Sequence, residues 1–279
     1  VEPLYAMLAA AGGGREIYPA AMIRHILKDL IKNHAHDSIC GCSADSVSRH
    51  MLDRYERIAE VEEDLTARAL ELIGEHAVPP QARQEDYLLT LVNPALAPFT
   101  GRMEARLTFP CADRVRGFKL LTPAGEELPF SVLRRSKANI KILDPINLPG
   151  IVSCDAYEIE FTAADLPPAG VRTLIVRKTG GVCRPAPASA AASPALENRF
   201  LRVEADARGR VRILDKETGV WLEDALWLED TADYGSSYIF TGDPDERPVT
   251  SADAPAQVAA LPGSPLRQAM RIAFRLRLP

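Results

Sequence analysis

The run Asn33-His34-Ala35-His36-Asp37-Ser38-Ile39-Cys40-Gly41-Cys42-Ser43 concentrates two imidazoles, a carboxylate, two thiols and a glycine between two helix-like segments. Such a set can hold a metal or grip a polar substrate, and a simple connection needs none of it. Spacing alone does not choose between these. His-x-His-Asp lacks the His-Glu-x-x-His interval that puts two imidazoles on one helical face, and Cys40-x-Cys42 is one residue short of the usual zinc-knuckle pair. A helix connection whose histidines bond backbone groups is the plain alternative.

Working outward, residues 16–34 read as a helix with Pro19 in its first turn. Ile23, Ile26, Leu27, Leu30 and Ile31 form one apolar stripe at three- and four-residue steps. On the other side Ser43 is the expected N-cap, and Asp45 stands where the positive helix end favours it. Val47, Met51, Tyr55, Ile58, Leu65, Ala69 and Leu72 then keep near-heptad spacing to about Gly74. Glu60, Glu62, Glu63 and Asp64 mark the solvated face. Two helices so closely joined make an antiparallel hairpin, and with the preceding segment part of a three-helix bundle.

Beyond His76-Ala77-Val78-Pro79-Pro80 the period changes to two. Met103, Ala105, Leu107 and Phe109 alternate with Glu104, Arg106 and Thr108, and Tyr157, Ile159 and Phe161 with Glu158 and Glu160. A turn at Pro123-Ala124-Gly125-Glu126 is expected to join strands at 118–121 and 130–133, and 171–176 closes the series. The fold class is therefore α+β, a helical hairpin followed by antiparallel β-sandwich domains. The divisions are a helical domain over 1–80, a sandwich over 81–180, a Pro-punctuated linker over 181–195 and the start of a second β domain over 196–279. Strands at 200–205, Val211–Asp215 and 269–278 belong to the last, which reads as truncated.

Ordinary hydrophobic and charged fractions, 47% and 25%, place the chain among soluble globular proteins. Residues 1–76 carry eight Lys/Arg and thirteen Asp/Glu, so the whole formal charge of −5 lies there and the rest is neutral. That is no footprint for nucleic acid or an anionic membrane. Five scattered cysteines make no disulfide framework and point to reduced thiols in a cytoplasmic protein. Residues 4–11 are apolar but lack a basic leader and are too short to span a bilayer. With no initiator Met, the expectation is a chain cut from a longer one. Gly12-Gly13-Gly14 follows no strand and lacks the Lys-Ser/Thr of a nucleotide loop, and no Gly-x-Ser-x-Gly elbow occurs.

The full string at 33–43 resembles the Asn-His-x-His-Asp-Ser-Ile-Cys-Gly-Cys-Ser signature of bacterial α-mannosidases in glycoside hydrolase family 38. Val1-Glu2-Pro3-Leu4 and Tyr18-Pro19 upstream, and Val47, His50 and Met51 downstream, follow the same pattern. Leu166-Pro167-Pro168-Ala169-Gly170 and Asp215-Lys216-Glu217-Thr218-Gly219 are similar to recurrent strand-and-turn elements of that family. The resemblance implies a retaining α-mannosidase acting on terminal α-mannosides. It implies that His36 is a zinc ligand and Asp37 a carboxylate bonding sugar hydroxyls. The other zinc ligands, the nucleophile and the acid would come from an N-terminal α/β domain absent from this sequence. The fragment alone is then expected to be inactive, with that domain and an α-mannoside as its partners, homo-oligomerisation being open.

Cys40 and Cys42 match no zinc ligand of the family and are expected to be small buried packing residues. Gly41 is expected to permit a positive-φ turn or close packing. His34 reads as a residue that packs or hydrogen-bonds locally, support of the metal's ligands being its alternative; His25 and His50 read as structural helix residues, and His76 as a helix-end residue. The acidic, aromatic stretch 223–245 reads as a solvated loop, with a sugar platform of aromatics beside carboxylates as its alternative. Its Asp233-Tyr234-Gly235-Ser236-Ser237-Tyr238 departs from the family's Asp-x-Gly-Asp-Ser-Tyr at Ser236. Two other classes compete: a non-catalytic carbohydrate-binding or assembly module, and a metal sensor in which His34, His36, Cys40 and Cys42 form a complete site.

Overall fold

The computed structural model describes residues 1–142, 146, 148–185, 195–236 and 238–277, without the side chain of Asp253. Most of the expected linker, together with Ser237 and Leu278, lies outside the described residues. The chain divides into two units, Val1–Pro185 and Ala186–Pro279.

In the first unit, α1 (Glu2–Leu8) carries Pro3 in its first turn, where no intrahelical N–H is needed. A π-helical turn at Ala9–Gly13 and a 3-10 turn at Arg15–Ile17 follow. Helix α2 (Ala20–Asn33) begins only after Pro19, not at residue 16. Proline bars its predecessor from helical angles, and Tyr18 is extended at φ −77°, ψ 117°. A single turn, α3 (His36–Ile39), leads to α4 (Asp45–His76), 32 residues long. The expected Ser43 cap is not used: Ala44 holds the N-cap without a side-chain bond. At the other end α4 passes Gly74 by two residues, and His76 Nδ1 lies 2.8 Å from the Leu72 carbonyl oxygen.

Helices α2 and α4 run antiparallel, since Asn33 bonds at Met51 and Arg54 while Asp29, one turn earlier, meets Arg57. Leu4, Tyr5 and Leu8 of α1, Ile23 of α2, and Leu65, Ala69 and Ile73 of α4 share one apolar core. The Tyr5 hydroxyl donates to the Leu65 carbonyl there at 3.1 Å. Only part of the α2 stripe is used: Ile23 and Ile26 are buried, whereas Leu27 and Ile31 stay exposed.

Seven strands follow: β1 (Tyr87–Asn93), β2 (Phe99–Pro110), β3 (Gly117–Leu121), β4 (Glu127–Leu128), β5 (Phe130–Ile142), β6 (Gly150–Leu166) and β7 (Gly170–Thr179). They form two antiparallel sheets, β1-β7-β3-β4 and β2-β6-β5. Their facing side chains make a single core, with Leu91, Phe118, Leu120, Leu174 and Val176 from one sheet and Leu107, Phe109, Tyr157, Ile159 and Phe161 from the other. The turn at 122–126 joins different partners from those expected. Gly125, at φ 88°, returns the chain to pair Leu128 with Leu120 in the same sheet. After Pro129 the chain crosses over, so Phe130 starts a strand of the opposite sheet and stacks its ring on Phe118 at 5.0 Å. Val92 and Val171 of the first sheet pack against the helical core, which ties α4 to the sandwich.

The second unit contains β8 (Ala195–Glu197), β9 (Leu201–Ala205), β10 (Val211–Asp215), β11 (Trp221–Leu226), β12 (Glu229–Asp230), β13 (Val249–Thr250), β14 (Ala256–Ser264) and β15 (Arg267–Phe274). They make one four-stranded sheet, β11-β10-β9-β8, and two ribbons, β12-β13 and β14-β15, all antiparallel. Asp215 Oδ1 accepts from the Glu217 and Thr218 amides, and Gly219 at φ 72° completes the turn into β11. Apolar burial is sparse: among the described residues of this unit only Ala205 and Val211 are buried hydrophobic side chains. All five cysteines of the chain are free, and among the described residues no helix is long and apolar enough to cross a membrane.

Candidate functional site

The site is built on the α2–α4 connection. Asn33 lies on the buried side of α2, in line with Ile23, Ile26 and Leu30, and is fully buried. Its amide nitrogen donates to the Met51 carbonyl at 3.0 Å, and Arg54 donates to its carbonyl oxygen at 2.9 Å. This polar lock fixes where α2 stops. His34 closes the helix and Ala35 is extended, so the Ala35 carbonyl accepts from the Ser38 and Ile39 amides and starts α3. Ser38 turns inward, leaving His36 and Asp37 on the outer side of the turn.

The His36 side chain is 93% exposed and that of Asp37 52%. His36 Nε2 lies 3.2 Å from Asp37 Oδ1. Helix α3 ends in a Schellman motif: the Gly41 amide donates to Ser38 O and the Cys42 amide to Asp37 O, both at 3.1 Å. Gly41 holds the left-handed position with φ 73°, the positive φ its place in the string predicts. The Cys42 thiol lies 3.5 Å from Asp37 O and 3.8 Å from Asp37 Oδ1.

The expectation of two buried thiols is corrected. Cys40 is exposed and Cys42 half-buried, because a one-turn helix offers too little surface to cover the residues that leave it. His34, His25 and His50 are all exposed. His76 occupies the end of α4, as its position predicts. Among the described residues no three His, Cys, Asp or Glu side chains converge to hold a metal. A complete sensor site from His34, His36, Cys40 and Cys42 is therefore not formed. One open imidazole suits zinc as a single donor, and one donor does not hold it alone.

The 223–245 stretch is organised by its own backbone. Asp233 Oδ1 accepts from the Thr241 and Gly235 amides at 2.9 and 2.8 Å, which holds this carboxyl below its ordinary 3.8. Tyr234, Tyr238 and Phe240 stand exposed. Asn33 and Cys42 are the residues whose work sequence reasoning missed. An asparagine continuing the buried i, i+3, i+7 line was a legible signal for the first. A Gly-Cys pair closing a one-turn helix becomes readable only once that turn is known.

No family model matches the sequence. Over 31 residues, 11% of this chain, it is 58% identical to a protein of Halalkalibacterium halodurans named "Putative mannosylglycerate hydrolase", a stretch that makes up 4% of that relative. An α-mannosidase from Enterococcus faecalis V583 superposes with a TM-score of 0.84 at 22% identity, over 98% of this chain and 32% of that one. A family 38 glycosyl hydrolase from Enterococcus faecalis does so with a TM-score of 0.80 at 22% identity, over 98% and 34%. The chain thus spans about a third of the length of the solved chains it matches. Its α+β fold is the one found within family 38 α-mannosidases.

Proposed function

We propose that this chain is the helical and β portion of a retaining α-mannosidase of glycoside hydrolase family 38, supplying one wall of the sugar site. In this reading His36 gives one imidazole ligand to zinc, and Asp37 accepts hydrogen bonds from hydroxyls of the terminal mannose. The remaining zinc ligands and the two catalytic carboxylates, about 5–5.5 Å apart in a retaining enzyme, belong to an α/β module outside these residues. When bound, zinc would grip vicinal hydroxyls and stabilise developing charge. The helices α1, α2 and α4 belong to a three-helix bundle, and five free thiols suit the cytoplasm.

The open His36 ring carries this reading. A ligand completed by other polypeptide must be reachable, and this one is 93% exposed with a carboxylate beside it. The likeness to mannosidase folds, and the short identity to a relative named for mannosylglycerate, support α-mannosides as the substrate class. The non-catalytic module reading gains no comparable support.

The test is hydrolysis of an aryl α-mannoside by the intact gene product that carries these 279 residues. Activity should fall by at least about a hundredfold on chelation and in His36→Ala, the loss typical of a stripped stabilising group. Undiminished cleavage in both would end the proposal.

A further inference from the structure

In a Schellman motif the third residue from the helix end and the second residue beyond it face each other, and the pair is usually apolar. In α3 those residues are Asp37 and Cys42. The backbone bond between them, Cys42 N to Asp37 O, is 3.1 Å long. Their side chains replace the usual apolar contact by a thiol against a carboxylate, with Cys42 Sγ 3.8 Å from Asp37 Oδ1. The same Oδ1 faces His36 Nε2 at 3.2 Å, so one oxygen of Asp37 is held between imidazole and thiol.

We infer that Cys42 is a positioning residue: its thiol selects one rotamer of Asp37 and so fixes how that carboxylate is presented beside His36. A thiol is a weak donor, but it needs only to bias three staggered states of an exposed aspartate. The two N–H···O bonds of the motif do not need the Cys42 side chain, although its one thiol proton is shared between Asp37 O at 3.5 Å and Asp37 Oδ1 at 3.8 Å. Cys42→Ala therefore keeps the turn and removes only the thiol, whereas Cys42→Ser keeps a donor. The effect on substrate rests on the reading of Asp37 as the sugar contact, and the positioning itself does not.

Side-chain scalar couplings of Asp37, measured by NMR on the isotopically labelled 279-residue chain, report its rotamer populations. One rotamer should dominate in the native chain and in Cys42→Ser, and averaging should appear in Cys42→Ala with an unchanged melting temperature. An undisturbed single rotamer in Cys42→Ala overturns the proposal. In the intact gene product, KM for an aryl α-mannoside should rise about two- to tenfold in Cys42→Ala, the span of one ordinary hydrogen bond. There kcat should change less, and Cys42→Ser should restore most of KM. Averaging with an unmoved KM upholds the positioning and overturns its substrate half. A native gene product that does not cleave mannosides sinks the mannosidase reading and leaves the coupling result standing.

Discussion

Asn33 illustrates how one side chain can set the geometry of a loop. Its amide satisfies the Met51 carbonyl and receives Arg54 inside the helix pair. Removing it deletes both bonds, one of them to a charged guanidinium, at about 1–3 kcal/mol. Asn33→Ala should lower the unfolding free energy of the first unit by that amount, and urea melts of the purified chain would measure it. A change below about 0.5 kcal/mol, ordinary for a surface site, would refute the lock. Asp86 supplies a pH test. Its side chain is 1% exposed, bonded by Arg177 through both oxygens at 2.9 and 2.7 Å and by the Arg83 amide. The Arg177 guanidinium foremost holds its carboxyl below the ordinary 3.8. With the folded value depressed, its contribution is complete above the unfolded value and is lost as pH falls through the folded one. The stability advantage of the native chain over Asp86→Asn should be flat near neutrality and shrink below pH 3.8. An advantage unchanged down to strongly acid pH would contradict this.

At the scale of elements, α3 depends on the left-handed Gly41. A Cβ there would meet nothing within 4 Å, so Gly41→Ala tests backbone strain alone. A cost of about 1–2 kcal/mol is expected, from the αL penalty of an L-residue. Amide exchange at Cys42 should accelerate as its bond to Asp37 O weakens, and unchanged protection would count against the motif. Gly235 differs, because a Cβ there would stand 1.9 Å from the Ile239 carbonyl oxygen. Gly235→Ala must open that loop whatever its φ. The elements legible in the sequence were those with a strong period: the Ile23–Ile26–Leu30 line of α2 and the alternation from Met103 to Phe109. What was not legible turned on tertiary competition. Leu27 and Ile31 share the apolar stripe yet stay exposed among the described residues, and Phe130 continues from a hairpin strand but belongs to the other sheet. No local pattern encodes that crossover, which brings the Phe130 ring onto Phe118.

For the whole molecule, the two units differ in how much apolar surface they bury. Tyr157, Ile159 and Phe161 are fully buried at the centre of the sandwich, whereas the second unit buries only Ala205 and Val211 among its described apolar residues. Each fully buried aliphatic side chain contributes about 1.5–3 kcal/mol, against about 1–2 kcal/mol to order each residue. Hydrogen exchange on this chain should therefore find the slowest amides in β6, with β9 and β10 exchanging orders of magnitude faster. Equal protection in both would show stabilisation that burial does not reveal. The resemblance at residues 33–43 anticipated the fold found in family 38 enzymes, although periodicity alone reached only α+β. The roles proposed for His36 and Asp37 came from that resemblance, and what the fold adds is that both side chains are exposed. The most direct measurement is of the proposed zinc site, by anomalous diffraction from crystals of the intact gene product grown with zinc. One zinc bonded to an imidazole nitrogen of His36 at about 2.0–2.1 Å is the predicted result. Zinc held elsewhere, with the His36 ring still facing solvent, would contradict the account.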